Sequence, residues 1–226
     1  MSLTARRILA ALALVGASAV SSAAQVEVTT CGQVVTGPAF LSADLDCAGF
    51  TGPSVLPERV KTFGNGTIEG AAVAISRKGT LELRGHTIVG GVFGVFCGVS
   101  CSIVGGGGTI TGATVHGVVA QKKATISDAT VSDSGDTALY VQGNLKVTGC
   151  LVTGNEYGTW VPKSAKFVSS TVTGNEDYGI LADAITLVDT SVTGNGVDLT
   201  STRRPRLKRS TCETGTWGAD QSNACP

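Results

Sequence analysis

Residues 171–180 read TVTGNEDYGI, residues 151–160 read LVTGNEYGTW, and residues 191–200 read SVTGNGVDLT. Near-identity at a spacing of twenty marks a repeat architecture. Stepping both ways from Val172 gives an apolar file: Ile68, Ile88, Ile110, Val131, Val152, Val172, Val192 and Cys212, at intervals of 20 to 22 residues. A second file runs upstream through Leu83, Ile103, Ile126, Val147, Phe167, Leu187 and Leu207. A third follows the turn: Val73, Val95, Val118, Leu139, Thr159, Ile180 and Val197. Two residues beyond it come Ile75, Cys97, Ala120, Val141, Val161, Ala182 and Leu199, which keeps the period of two expected of a strand.

Three short strands per repeat describe a chain that winds once per 20 to 22 residues and stacks each coil on the last, about 4.8 Å apart. No coil can bury its own apolar file; stacking makes the core continuous and leaves two ends to be capped. About seven coils give a prism roughly 34 Å long on that spacing. In the repeated VTGN, the valine points inward and Gly154, Gly174 and Gly194 turn the chain. Asn155, Asn175 and Asn195 form one file at a corner, where asparagine bonds turn backbone and its neighbours in the stack.

These motifs, together with LELRGHTIVGG at 81–91 and the YG that follows VTGN, give the chain its resemblance to the right-handed parallel β-helix repeat proteins. That superfamily includes pectate lyases, polysaccharide epimerases and the periplasmic copper-delivery proteins of nitrous oxide reductase maturation. The resemblance covers about 67–211 and implies the fold, an all-β right-handed parallel β-helix with three short strands per coil. It does not select an activity, because such folds host many. His86, in RGHTI, belongs to the structural motif of that family. His116 stands alone and reads as a turn or surface histidine.

The start of the chain is organised differently. Arg6 and Arg7 precede an apolar run, Ile8 to Val15, and then the small residues Ala17 to Ala24. That layout is a secretory signal peptide over 1–24, and its apolar run is too short to span a bilayer. We therefore expect a secreted protein (extracellular, periplasmic or cell-surface), with an N-terminal cap segment over 25–66, the β-helix over 67–211 and a C-terminal cap or tail over 212–226. Losing Arg6 and Arg7 leaves 15 basic against 17 acidic side chains. No global field calls for nucleic acid or an anionic membrane as partner. Seven cysteines suit an oxidising compartment. Proximity suggests the pairs Cys31–Cys47, Cys97–Cys101 and Cys212–Cys225, with Cys150 left over. Cys97, Cys101 and His116 could also be read as metal ligands, but two cysteines and one distant histidine make a weak set beside a disulfide.

Candidate sites lie on the outside. One outward file reads Phe96, Val119, Tyr140, Trp160 and Leu181, three of five aromatic in a chain with 5% aromatics. Such a face stacks sugar rings or meets a partner, so Phe96, Tyr140, Trp160 and Leu181 are glycan-binding candidates. Arg203, Arg204, Arg206 and Lys208 crowd the last coil and are anion-binding candidates; a charged end also blocks edge-to-edge stacking. Lyases of the resembled superfamily hold calcium on clustered carboxylates, which makes Glu156, Glu176 and Asp177 the metal candidates here. Splaying into solvent is the plainer reading of three like charges. Regular threonines beside the first file (Thr109 and Thr111, Thr130, Thr153, Thr171 and Thr173, Thr193) resemble ice-binding arrays, though threonine also simply suits exposed strands. The expectation is a non-catalytic protein that binds polysaccharide or serves as an extracellular structural protein, with no cofactor and no assigned catalytic residue. A calcium-dependent polysaccharide lyase or epimerase is the alternative, and a self-associating surface protein the third reading.

Overall fold

The computed structural model describes residues 24–55, 67–218 and 225. These residues form a parallel β-solenoid of about seven turns, with no helix among them. Its walls are three parallel faces. Face A carries Leu151–Thr153, Thr171–Thr173 and Ser191–Thr193; face B carries Thr137–Val141 and Val197–Ser201; face C carries Lys78–Glu82 and Asn144–Thr148. Some strands run round a corner, as Tyr157–Val168 and Tyr178–Val188 do from face B to face C.

The file of face A is in register from Ile88 to Cys212. Its first member differs from the expectation. Ile68 lies in an antiparallel pair with Pro53–Val55, and Leu45 stacks beneath Ile88 instead. Strands from the expected cap segment, Gln33–Val35, Ala39–Leu41 and Leu45–Cys47, thus stack in parallel on the first coils. Face C pairs Ile103 with Leu81, not Leu83, and face B pairs Ile180 with Leu199 and Ala182 with Ser201, so Val197 and Leu199 each sit one alternation off the expected register. Both differences are slips of two residues, which keep every side chain on its face and leave no trace in an alternating pattern. The inward residues merge into one core, with Phe167, Ile103, Ile126 and Leu139 fully buried.

Two corners repeat on every coil. Between A and B, Gly154, Gly174 and Gly194 have φ of 69°, 65° and 69°, and Asp133 holds the same left-handed place one coil earlier at 53°. Behind this corner the asparagines form a head-to-tail chain. Asn155 Nδ2 donates to Asn175 Oδ1 (2.9 Å), and Asn175 Nδ2 donates to Asn195 Oδ1 (2.8 Å). Ser134 N–H donates to Asn155 Oδ1 at one end, 2.9 Å. At the other, Asn195 Nδ2 donates to Asp198 Oδ1, 2.8 Å. Asp198 is fully buried; its second oxygen accepts the N–H groups of Glu213 (2.8 Å) and Thr214 (3.0 Å). The YG motif answers to this chain. A Cβ on Gly158 would lie 2.9 Å from Asn175 Nδ2, and one on Gly179 would lie 2.8 Å from Asn195 Nδ2.

The corner between C and A carries a hydroxyl ladder. Ser170 Oγ accepts from the N–H of Cys150, Thr190 Oγ1 from Ser170, and Ser210 Oγ from Thr190. Cys150 occupies the next rung, its thiol donating to Thr148 O at 3.3 Å. It is buried and unpaired. Burial foremost pushes its pKa up, against the backbone N–H groups that favour the thiolate. The other six cysteines form Cys31–Cys47, Cys97–Cys101 and Cys212–Cys225, with Cα separations of 5.7, 5.9 and 5.5 Å that suit disulfides. Such bonds fit an oxidising compartment.

Candidate functional site

The outward file of face B is in register as Ala74, Phe96, Val119, Tyr140, Trp160, Leu181, Thr200 and Thr216. It is not one continuous exposed surface. Phe96 is 1% exposed and belongs to a small second cluster with Ala71, Ala74 and Val119, against which Phe93, Val34 and Tyr140 lie. The expectation that Phe96 could stack a ligand is therefore wrong. Phe93, three residues earlier at the corner, turns its ring to within 6.1 Å of Phe96 and closes the early coils.

The same corner position brings more rings outward. His116 is no isolated surface residue: it stacks between Phe93 (5.8 Å) and Tyr140 (5.1 Å, rings 7° apart). Its Nδ1 is buried without a hydrogen-bond partner, 4.0 Å from Asp136 Oδ2. Burial lowers its pKa, and the Asp136 charge opposes that in part. Tyr157 and Tyr178 stack at 5.7 Å.

Trp160 ends this aromatic series. Tyr140 meets it edge-on at 5.8 Å and Tyr157 lies against it at 6.3 Å with its ring tilted by 48°, which braces the indole while leaving the residue 43% exposed. It forms one wall of a groove of about 420 Å³ across the last coils. Leu181, Thr200 and Thr216 line the floor, Asp183 and Thr202 one side, and Trp217 the far end. The two threonine hydroxyls of the floor bond each other at 3.1 Å. Asp183 is held by Arg203 Nη2 at 3.1 Å and by the hydroxyl of Thr202. Trp217 folds over the end of the solenoid, its ring against Gly215. Both tryptophans of the chain thus border one groove. Its chemistry is that of a platform: an apolar indole face beside a row of hydroxyls and one carboxylate.

The remaining candidates fall elsewhere. Glu156, Glu176 and Asp177 sit at the A–B corner beside Tyr157. The hydrogen bond of that tyrosine to Asp177, followed by desolvation and then by the nearby acidic charges, raises its pKa. Among the described residues no group of three or more His, Cys, Asp or Glu is placed to hold a metal ion. The basic cluster divides. Arg203 is paired with Asp183, while Arg204, Arg206 and Lys208 are exposed and, among the described residues, have no carboxylate within 4.0 Å. The threonine rows of face A are in register and partly bonded across coils, as Ser132 Oγ to Thr111 Oγ1 at 3.0 Å, but Leu151 interrupts one row. Sequence reading missed Trp217 and Asp198. Trp217 lies past the last full repeat, and Asp198 breaks the alternation at a position that is glycine in the two coils before it.

Comparison with known proteins adds no assignment: no family model matches the chain, and no curated protein or solved structure is significantly similar to it.

Proposed function

We propose that the protein is an exported, non-catalytic solenoid that binds carbohydrate in the Trp160–Trp217 groove. The observation that carries this reading is Trp160 itself, 43% exposed, braced by two tyrosines and standing over a row of hydroxyls. A rigid indole offers its face to the C–H side of a sugar ring at little conformational cost. Asp183, Thr200, Thr202 and Thr216 line the same groove and offer polar partners for ring hydroxyls. Leu181 continues the apolar floor. Arg203 shapes the groove only through Asp183.

Support for a non-catalytic role comes from the same lining. Asp183 is the one carboxylate among the described lining residues, and it is engaged by Arg203 and Thr202. Glycoside cleavage uses two carboxylates set across the bond. A glycan array on the wild type and on Trp160→Ala tests the proposal. The expected result is a defined set of ligands whose binding falls at least tenfold in the variant. Ligands bound equally by both proteins would remove the groove from consideration. Unsaturated products released from pectin or alginate in the presence of calcium would favour a lyase instead.

A further inference from the structure

Face C carries a different chemistry from the groove. One outward row runs Lys78, Ser100, Lys123 in direct register. Ser100 is short, so the two lysines stand over a depression of about 570 Å³ floored by Ser100, Thr80 and Thr125. Cys101, fixed to Cys97 by a disulfide, forms part of its lining. The neighbouring row places Lys146 directly opposite Lys166, and Arg206 follows beyond Thr186. From Lys78 to Lys208 the outward positions of this face hold six cations and one carboxylate, Glu82 at the far end of the Lys78 strand, which is paired with Arg84 at 3.0 Å. Among the described residues, none of Lys78, Lys123, Lys146, Lys166, Arg206 and Lys208 has a carboxylate within 4.0 Å. The whole chain is balanced at 17 basic and 17 acidic residues, so this is segregation of charge and not an overall excess.

Like charges directly opposite on adjacent strands destabilise a sheet. The Lys146–Lys166 pair bears that cost on an exposed face where any polar residue would serve. We propose that face C binds a linear sulfated polysaccharide lying along the solenoid axis, with one sulfate seated in the Lys78–Ser100–Lys123 depression. From Lys78 to Arg206 there are six coil steps, a cationic track of about 29 Å at the interstrand spacing. Two ammonium groups and three hydroxyls surround the depression, which suits the several oxygens of a tetrahedral oxyanion better than the two of a carboxylate. No aromatic side chain occupies an outward position in these strands, so the stacking platforms that single-stranded nucleic acids use are missing among the described residues.

Biolayer interferometry on immobilised dextran sulfate, with uncharged dextran and duplex DNA as parallel surfaces, tests this. The wild type should bind dextran sulfate, with affinity falling linearly in log–log against salt as counterions are released. Lys78→Ser/Lys123→Ser and Lys146→Ser/Lys166→Ser should each weaken binding at least tenfold and flatten the salt slope by about one to two. Lys78→Arg/Lys123→Arg should retain binding, which separates loss of charge from loss of fold. Trp160→Ala should bind dextran sulfate as the wild type does, so this proposal and the groove can fail separately. The proposal is overturned by equal binding to dextran, by undiminished binding in both serine variants, or by duplex DNA held as tightly as dextran sulfate.

Discussion

Replacing Asn175 by alanine should destabilise the solenoid by about 3 kcal/mol. Asn175 is 2% exposed and sits in the middle of the amide chain, so no bulk water can take its place. Its Oδ1 accepts from both the side chain (2.9 Å) and the backbone N–H (3.3 Å) of Asn155. Its Nδ2 donates to Asn195 Oδ1 at 2.8 Å. In the alanine variant, Asn155 Nδ2 still reaches Thr153 O and Asn195 Oδ1 still accepts the N–H of residue 175. The backbone N–H of Asn155 has no such second partner and is left buried and unsatisfied, at about 1–3 kcal/mol. The two bonds weakened on either side add about 0.5–1.5 kcal/mol each. Asn175→Asp should cost more, because it sets an oxygen where a donor faced Asn195 Oδ1. Urea unfolding followed by tryptophan fluorescence measures both, with exposed Glu176→Ala as the control that should change little. A loss below about 1 kcal/mol for Asn175→Ala, or aspartate better tolerated than alanine, would refute the reasoning.

Cys150 occupies a rung that its neighbours fill with Ser170, Thr190 and Ser210. Cys150→Ser should therefore keep its stability within about 1 kcal/mol, whereas Cys150→Ala removes the acceptor used by the Ala129 N–H and should cost about 1–3 kcal/mol. In the wild type the thiol should react with a disulfide reagent only on unfolding, and fast labelling of the native protein would contradict its burial. His116 makes stability fall toward acid. Burial lowers its folded pKa below the ordinary 6.5, so between those two values the unfolded chain binds more protons and stability rises with pH. The contribution is complete above pH 6.5 and is lost as pH drops through that window. His116→Phe should flatten this part of the pH profile in urea midpoints between pH 8 and pH 5, and an unchanged drop would remove His116 as its cause.

Much of the solenoid was legible because burial imposes a strict pattern on a stacked coil. Val131, Val152, Val172 and Val192 sit in one file at near-constant spacing, and no other architecture needs that. The three cysteine pairs that proximity suggested are the ones the structure joins, although proximity alone does not fix a connectivity. The register of single strands was less visible, since a slip of two preserves the alternation; Leu81 for Leu83 and Leu199 for Val197 are both of this kind. Site residues were harder still. Exposure along an outward file depends on what folds over it, and nothing in the residue Phe96 says that Phe93 and Val119 enclose it. Trp160 was readable as an outward aromatic; Trp217 was not, because its place at the groove is set by the end of the fold. The lysines of face C are scattered over some 130 residues of sequence and become a row only once the coils are stacked.

The amide chain has a direction: Asn155 and Asn175 each donate to the asparagine oxygen of the next coil, and the series ends where Asn195 donates to the Asp198 carboxylate of its own coil, which accepts only. Asp198 therefore acts as a stop. Between Val152 and Cys212 each coil is 20 residues, with the same glycine and asparagine at its corner through Asn195. Copy number is thus free to vary upstream of the stop and fixed downstream of it. Duplicating residues 156–175 should insert one whole coil and lengthen the particle by about 4.8 Å, measurable by small-angle scattering. The same duplication placed after Asp198 should fail, because a carboxylate inside the series accepts at both oxygens and has no N–H to donate to the asparagine oxygen of the next coil.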